Sequence, residues 1–178
     1  MNVLLTGERN VGKTTAVERV VAQLRDRGLD PVGFYTAGGP ETLELVDVRT
    51  GERTVFASQS AEFDDSISVG RYAVDPAAID RGLALATQEG DVLVIDEIGK
   101  LERRGEGFAP LLDDLDPARY RGILLSVRKG VVPCVADHFP ADAPLERIET
   151  TEANRDALPA RIVALLVGDG TSEKPDRQ

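Results

Sequence analysis

The hydrophobic positions of the chain form short runs that predict the strands of a buried sheet. Residues 1–6, 92–95 and 122–127 are each centred on uninterrupted apolar side chains. Short runs without polar alternation are typical of parallel strands that are covered on both faces. Residues 32–36 predict a further strand, and Ile148 lies in another strand candidate. The predicted strands are therefore spread along almost the whole chain.

Longer segments carry apolar residues three and four positions apart, which predicts amphipathic helices. Asp75 and Pro76 fit the N-cap and the first helical position of one such segment. Thr151 fits the N-cap of the last one. The predicted helices are residues 16–27, 77–88, 108–115 and 152–167.

The middle of the chain follows a different pattern. Residues 43–48 alternate apolar and polar side chains, and residues 53–57 form a partner candidate after a Thr-Gly turn signal. These two segments predict a β-hairpin inserted after the second strand. Residues 67–74 predict one more strand with Gly70 inside it, and residues 131–144, with three prolines, are predicted to be irregular.

Strands that alternate with helices predict an α/β fold with a mainly parallel sheet. In such sheets, ligands bind beyond the carboxyl ends of the strands. At 178 residues, the chain has the length of one domain with one sizeable core. We predict a single domain over residues 1–167 and a disordered tail over residues 168–178.

Composition narrows the class of protein. The net charge of −10 argues against general nucleic-acid binding, because phosphates would be repelled. The sequence contains no run of about 18 apolar residues, so no membrane span is predicted. No signal peptide is visible before the first predicted strand. The one cysteine, Cys134, cannot form an internal disulfide, which favours a reducing, cytoplasmic location.

The segment GERNVGKTT, between the first strand and first helix, has the spacing of a phosphate-binding loop. Gly7 and Gly12 permit close backbone approaches, and a helix beginning near Lys13 directs its positive dipole end at the same anion. Lys13 can reach the β- and γ-phosphates, and the Thr14 hydroxyl can ligate Mg²⁺. The residues predicted to contact a nucleotide are Gly7, Glu8, Arg9, Asn10, Val11, Gly12, Lys13, Thr14 and Thr15.

A second motif, VLVIDE, places two carboxylates at the end of a predicted buried strand. Asp96 has the hydrophobic lead-in of a Walker B acid and would hold Mg²⁺ opposite Thr14. Glu97 follows at once, and an acid in this position can orient and deprotonate an attacking water. Asp96 and Glu97 therefore predict a metal-dependent hydrolysis of the γ-phosphate, with Glu97 and Lys13 as catalytic residues.

Five segments occur in order along the chain: GERNVGKTT at 7–15, GFYT at 33–36, SVGRYAVD at 68–75, VIDEIGK at 94–100 and TTEANRDALPARI at 150–162. This set resembles the small nucleoside-triphosphatase family sometimes called cancer-related or THEP-type NTPase. The resemblance extends to about residue 167. It implies a P-loop NTPase fold, a three-layer sandwich similar to RecA- and AAA-like ATPases. It also implies slow hydrolysis of ATP, GTP and other nucleoside triphosphates with little base preference.

Carried over to this chain, the resemblance implies that residues 7–14 bind the phosphates, Asp96 serves Mg²⁺ and Glu97 serves the catalytic water. The loop departs from the family at residues 8–10, Glu-Arg-Asn, where members often have a proline or another small residue. The carboxylate of Glu8 is unfavourable beside a triphosphate unless it points away. Arg9 is instead a candidate for phosphate contact.

Several other side chains have two interpretations. Arg128, like Arg103 and Arg104, is either an arginine finger or a solvated surface residue. Ser126 is either a γ-phosphate sensor or a buried hydroxyl bonded to backbone. Arg155 and its neighbour Asn154 lie either near the nucleobase or in a network at the start of the last helix. Lys100, in the DEIGK segment, is a candidate for a role near the site, with no chemistry assigned to it. Tyr35 and Tyr72 either stack on a base or pack in the core, and His138 is assigned to the surface or a loop rather than to catalysis.

Two other functions compete with hydrolysis. A small nucleotide or metabolite kinase would share the phosphate loop, but an arginine-rich lid is not evident, and Glu97 favours water as the acceptor. A nucleotide-dependent switch with incidental turnover would require a protein partner. The candidate surfaces for that partner are the 43–57 hairpin and the 101–107 loop.

Overall fold

The computed structural model describes residues 1–168, so the predicted tail, apart from Gly168, lies outside the described residues. Helices and strands alternate through most of this range. Within it, the strands are β1 Asn2–Gly7, β2 Pro31–Gly38, β3 Thr42–Asp47, β4 Arg53–Ser58, β5 Ile67–Val69, β6 Tyr72–Val74, β7 Val92–Ile98, β8 Gly122–Val127 and β9 Leu145–Thr150. The α-helices in the same range are α1 Lys13–Asp26, α2 Pro76–Ala86, α3 Ala109–Asp113, α4 Val132–Ala136 and α5 Leu158–Val167.

All of these strands belong to one sheet, in the order β5-β6-β4-β3-β2-β7-β8-β1-β9. From β2 to β9 the neighbouring strands are parallel, and we call these five strands the parallel half. From β3 to β5 the neighbours are antiparallel, and we call these four strands the antiparallel half. Strand β2 joins the two halves, because it pairs with β7 on one side and β3 on the other.

Helices cover both faces of the sheet and divide the core in two. Alternate residues of β1 show this division: Val3 and Leu5 pack with α1 and α5, whereas Leu4 packs on the opposite face with α2, α3 and α4. Such two-sided burial is the reason that these strands are apolar at nearly every position. The prediction of an α/β fold is confirmed. The sheet is not mainly parallel, however, because among the described strands four pairings are parallel and four are antiparallel.

The parallel half brings distant parts of the chain to one edge. Strand β8 lies between β7 and β1, so the end of β8 separates the phosphate loop from the Asp96-Glu97 pair. Strand β9 flanks β1 on its other side, where Gly7 is opposite Thr150. The carboxyl ends of β7, β8, β1 and β9 therefore surround one region, as expected for a ligand site in a parallel sheet.

The structure corrects three predictions about local elements. Residues 67–74 are not one strand but the hairpin β5–β6, because Gly70 adopts a left-handed φ of 62° and turns the chain. The segment 131–144 contains the short helix α4, whose second residue is Pro133, a position where proline needs no hydrogen-bond partner.

The last helix begins at Leu158, later than predicted, and Thr151 does not cap it. Thr151 instead donates its backbone N–H to Oδ1 of Asn154 at 2.8 Å, which closes a local turn. Pro159 then lies in the first turn of α5. The start of this helix is therefore set by proline and by Asx-type turn chemistry rather than by apolar spacing.

Candidate functional site

The loop between β1 and α1 is held in a conformation that requires small residues. Gly7 and Gly12 have φ values of 148° and 106°, and Asn10 also lies in the left-handed region. A Cβ atom on Gly7 would lie 2.7 Å from the carbonyl oxygen of Thr150 on β9. The first N–H groups of α1 have no partners within their own helix, so the loop and helix present donors to an anion.

Lys13 lies across the mouth of this loop. Its Nζ donates to the carbonyl oxygens of Gly7 at 3.1 Å and Glu8 at 2.8 Å. These bonds hold the ammonium group beside the loop, and no carboxylate among residues 1–168 pairs with it. Lys13 is therefore placed where the sequence predicted a phosphate-binding cation.

The predicted metal ligands are in direct contact. Thr14 Oγ1 donates to Asp96 Oδ2 at 2.8 Å, and Thr36 Oγ1, at the end of β2, donates to the same oxygen at 3.4 Å. Asp96 is completely buried. Burial, followed by the charge of Glu97, raises the pKa of Asp96, while the neighbouring hydroxyls of Ser126 and Thr14 act in the opposite direction. Thr36 lies in the GFYT segment, but the sequence indicated no role for it.

Among residues 1–168, four buried side-chain oxygens have no hydrogen-bond partner. They belong to Thr6, Asp96, Ser126 and Thr150, and each lies at the carboxyl end of a strand of the parallel half. An unsatisfied buried polar group costs about 1–3 kcal/mol, so proteins seldom keep several together without a use for them. Asp96 Oδ1 and the Thr14 hydroxyl are hard oxygen donors, the ligand type that Mg²⁺ prefers, so the residues fit this ion.

Glu97 leaves the strand in a strained conformation. Its φ is 72°, and the pairing of β7 with β8 shifts in register between Ile95 and Ile98. Its side chain is about one-third exposed, and Oε1 accepts from Nε and Nη2 of Arg128 at 3.0 and 2.5 Å. The bulge thus buries Asp96 and directs the next carboxylate to the surface of the site, where Arg128 engages it.

The comparisons with known proteins agree with this geometry. A protein-family model described as NTPase matches residues 2–163. The chain belongs to the THEP1 nucleoside-triphosphatase family. It is 34% identical to the nucleoside-triphosphatase THEP1 of Caldivirga maquilingensis, over 92% of this chain and 94% of that protein. It is 32% identical to that of Natranaerobius thermophilus, over 90% and 93% of the two chains. The family resemblance seen in the sequence is confirmed.

Two solved structures share the fold. The crystal structure of THEP1 from Aquifex aeolicus matches with a TM-score of 0.74 and 28% identity, and covers 93% of this chain and 99% of that one. The solution structure of a human cancer-related nucleoside triphosphatase matches with a TM-score of 0.75 and 25% identity, and covers 96% and 99%. The THEP1 fold therefore extends over nearly the whole chain.

In this THEP1-family chain, the loop acid Glu8 has a partner that the sequence did not reveal. Glu8 Oε1 lies 2.7 Å from Nζ of Lys129, which also lies 2.7 Å from Oε1 of Glu149. The pKa of Lys129 is raised to about 12 by its bonds with Glu149 and Glu8. The bond with Lys129 also lowers the pKa of Glu8. The carboxylate of Glu8 is therefore paired away from Lys13, whereas Arg9 is exposed on the loop.

A cavity of about 200 Å³ opens on the other side of the loop, beside the first turns of α1. Arg19 on α1 pairs with Asp156 at 3.2 Å across it. Arg155 passes close to Gly12, where an added Cβ would lie 3.4 Å from its Cδ. The lining residues are Gly12, Thr15, Ala16, Arg19, Arg155 and Asp156.

Glu102 anchors the loop that follows Glu97. It is buried, and its two carboxylate oxygens accept from the N–H groups of Gly99 at 2.6 Å and Phe108 at 3.0 Å. The sequence indicated no role for Glu102, because a lone acid in a polar stretch carries no signal of burial. Arg103 and Arg104 are exposed on this loop, and within residues 1–168 neither makes an ion pair.

Three further residues from the sequence analysis lie outside the site. The Tyr72 hydroxyl donates to the carbonyl of Pro40 at 2.5 Å, and Tyr35 packs at the margin of the core beneath α1. His138 lies 3.7 Å from Asp113. No helix among residues 1–168 has both the length and the apolar character to cross a membrane.

Proposed function

We propose that the chain hydrolyses nucleoside triphosphates to nucleoside diphosphates and phosphate in a Mg²⁺-dependent reaction with broad base specificity. Membership of the THEP1 family makes it a nucleoside-triphosphatase. One observation carries the metal dependence: the buried Thr14–Asp96 contact, in which Asp96 Oδ1 has no partner among the described residues. The cytoplasmic location remains a prediction.

Thr14 and Asp96 would hold Mg²⁺, directly or through water. When bound there, the ion would neutralise part of the negative charge on the phosphates of the substrate. Within residues 1–168, no group of three or more His, Cys, Asp or Glu residues could hold a metal ion. The substrate would therefore supply the remaining ligands, which favours a metal ion that enters with the nucleotide.

The residues around the metal site support a direct attack of water on the γ-phosphate. Lys13 would exchange the carbonyls of Gly7 and Glu8 for phosphate oxygens. Glu97 would orient the water and accept its proton while the bond from the γ-phosphorus to the bridging oxygen breaks. The pairing of Glu97 with Arg128 supports a low basal rate, because the carboxylate must shift its hydrogen bonds to engage water.

The strand order supports one orientation for a bound nucleotide. The γ-phosphate would lie near β7, the loop after β1 would hold the phosphates, and the base would extend towards the segment after β9. The cavity beside Arg19 and Arg155 is the space available there. A guanidinium can stack on any base without reading its edge, which favours broad specificity. We also infer a RecA/AAA-like arrangement, because β8 separates the phosphate-loop strand from the Asp96 strand.

The test is phosphate release from ATP, GTP, CTP and UTP, with Mg²⁺ or with EDTA. We expect release from all four nucleotides with kcat/KM values within about tenfold, because no base edge is read by hydrogen bonds. EDTA and Lys13→Ala should each abolish most of the release. Tight binding without release would contradict hydrolysis, and release from one nucleotide alone would contradict the broad specificity.

A nucleotide-dependent switch is the second candidate, and the Glu97–Arg128 ion pair is the observation that favours it. A switch would hydrolyse very slowly until another molecule displaced Arg128. The rate of Arg128→Ala distinguishes the two functions. A large rise above wild type would support a restrained switch, whereas a fall would support a role for Arg128 in hydrolysis itself.

A further inference from the structure

The segment after β8 carries two adjacent cations that reach acids on opposite sides. Arg128 bonds to Glu97 beyond β7, and Lys129 bonds to Glu8 beyond β1 and to Glu149 on β9. Both reach across because β8 lies between β7 and β1 in the sheet. The central position of this strand lets Arg128 and Lys129 pair with acids on both sides of it.

Glu8 is the residue that links this segment to the phosphate loop. Its backbone carbonyl accepts from Lys13 Nζ at 2.8 Å, and its carboxylate accepts from Lys129 Nζ at 2.7 Å. The charge of Lys13 also lowers the pKa of the Glu8 carboxyl, although less than Lys129 does. If Lys129 were absent, Lys13 would be the next cation acting on that carboxylate.

We propose that Lys129 is a positioning residue that keeps the Glu8 carboxylate away from Lys13 and from the nucleotide phosphates. The inference rests on the proposed function, because it concerns how the same loop binds its substrate. It accounts for an acidic residue in the phosphate loop of this chain. The loop tolerates Glu8 because a cation from the neighbouring strand end holds its side chain.

The exposure of these groups separates this role from a structural one. The side chains of Lys129, Glu8 and Glu149 are 44%, 76% and 54% exposed. Ion pairs as exposed as these contribute little to folding stability. A polyanion bound beside them is sensitive to every nearby charge. Removing Lys129 should therefore change nucleotide affinity while the melting temperature stays nearly constant.

The experiment compares Lys129→Ala in two backgrounds, wild type and Glu8→Gln. In wild type, we expect KM for ATP and Kd for a fluorescent nucleotide to rise about three- to tenfold, as for the loss of one partly screened charge. The kcat value should change less than KM. In Glu8→Gln, the same substitution should raise KM less than about twofold, because no carboxylate remains to compete for Lys13.

Two matched variants complete the test. Lys129→Arg keeps the positive charge and should retain a KM close to wild type. Glu149→Gln removes an ion pair of the same 2.7 Å length but leaves Lys129 on Glu8, so it should not raise KM. Equal effects of Lys129→Ala in both backgrounds would overturn the inference, because Lys129 would then act without Glu8.

Wild-type measurements separate this inference from the proposed function. If wild type neither binds the fluorescent nucleotide nor releases phosphate, the proposed function fails, and the inference falls with it. If wild type does both and the two backgrounds respond equally, only the role of Lys129 is overturned. A large loss of melting temperature in Lys129→Ala would likewise contradict a role confined to nucleotide binding.

Discussion

The two halves of the sheet treat their buried polar groups differently. In the antiparallel half, Asp47 accepts bonds from the N–H groups of Arg49 and Thr50 and from the Thr50 hydroxyl, and these bonds close the turn after β3. Ser58 accepts from the N–H groups that follow β4. In the parallel half, four buried oxygens at the strand ends have no partner among residues 1–168.

This difference separates polar groups that shape the chain from polar groups that are free for a ligand. The parallel half satisfies a buried polar group at the edge formed by the amino ends of its strands. There the Asn2 side-chain amide donates to the carbonyl of Pro144 at 3.2 Å. Unsatisfied groups are therefore a property of the carboxyl edge rather than of parallel strands. Their concentration around Gly7 and Asp96 is the physical mark of the site.

The largest expected difference between the halves is in phosphate release, when one acid in each half is replaced by its amide. Glu97→Gln should lower phosphate release by about 10²–10⁴-fold, because it removes the general base that we propose for the attacking water. Glu44→Gln, which breaks a 2.8 Å pair with Arg53 in the antiparallel half, should leave release unchanged. Phosphate release under saturating nucleotide measures both. Near-normal release by Glu97→Gln would remove Glu97 from the mechanism.

Removing the buried charge of Asp96 should separate activity from stability. Asp96→Asn should lower release at least about 100-fold, since it removes the Mg²⁺ ligand that we propose. Without metal, the raised pKa of Asp96 means that the folded state disfavours the charged carboxylate. Relative to Asp96→Asn, wild type should therefore lose stability as the pH rises from about 4, the pKa of an unfolded Asp.

Denaturant unfolding in EDTA between pH 4 and 7 measures this effect. Asp47→Ala is the matched control in the antiparallel half, and it should lose about 1–3 kcal/mol, because it removes the acceptor of three part-buried hydrogen bonds. A wild type more stable than Asp96→Asn at pH 7 in EDTA would contradict the account of Asp96.

Adding a Cβ at Gly33 should disrupt the pairing of β2, the strand shared by the two halves, with β7. This residue has a φ of 103°, and an added Cβ would lie 2.1 Å from the carbonyl oxygen of Val94 on β7. Gly33→Ala should cost about 3 kcal/mol or more in unfolding free energy. Gly51→Ala has a φ of 77° and nothing within 4 Å, so it should cost only about 1–2 kcal/mol. Equal losses of unfolding free energy in the two variants would contradict a steric clash at residue 33.

The smallest expected effect is a difference in stability when the same change, serine to alanine, is made once in each half. Ser58→Ala removes an acceptor bonded at 3.2 and 3.0 Å and should cost about 1 kcal/mol. Ser126→Ala removes a buried hydroxyl without a partner among the described residues, so the nucleotide-free protein should be equally or more stable. Thermal unfolding compares the two. Equal destabilisation would show that Ser126 is bonded in solution.

The sequence predicted the parts of the site that depend on local spacing. Gly7 to Thr14 and the Asp96-Glu97 pair are each contiguous, and short-range patterns report them. Thr150, Glu149 and Lys129 could not be predicted, because strand order, which no local pattern encodes, places them beside the loop. The start of the last helix was misplaced because Thr151 has the residue type of an N-cap, whereas its N–H is bonded to the Asn154 side chain in a local turn.

The strands that pair with β1 determine when the phosphate loop can form during synthesis of the chain. The residues of β1 leave the ribosome before those of β8 and β9, yet within residues 1–168 β1 pairs with these two strands alone. Pairings so distant in sequence form slowly. At about 5–20 residues per second, the phosphate loop would wait on the order of ten seconds for its supports, while the hairpins of the antiparallel half form during translation. A nucleotide can therefore stabilise this region only after β8 and β9 have been synthesised.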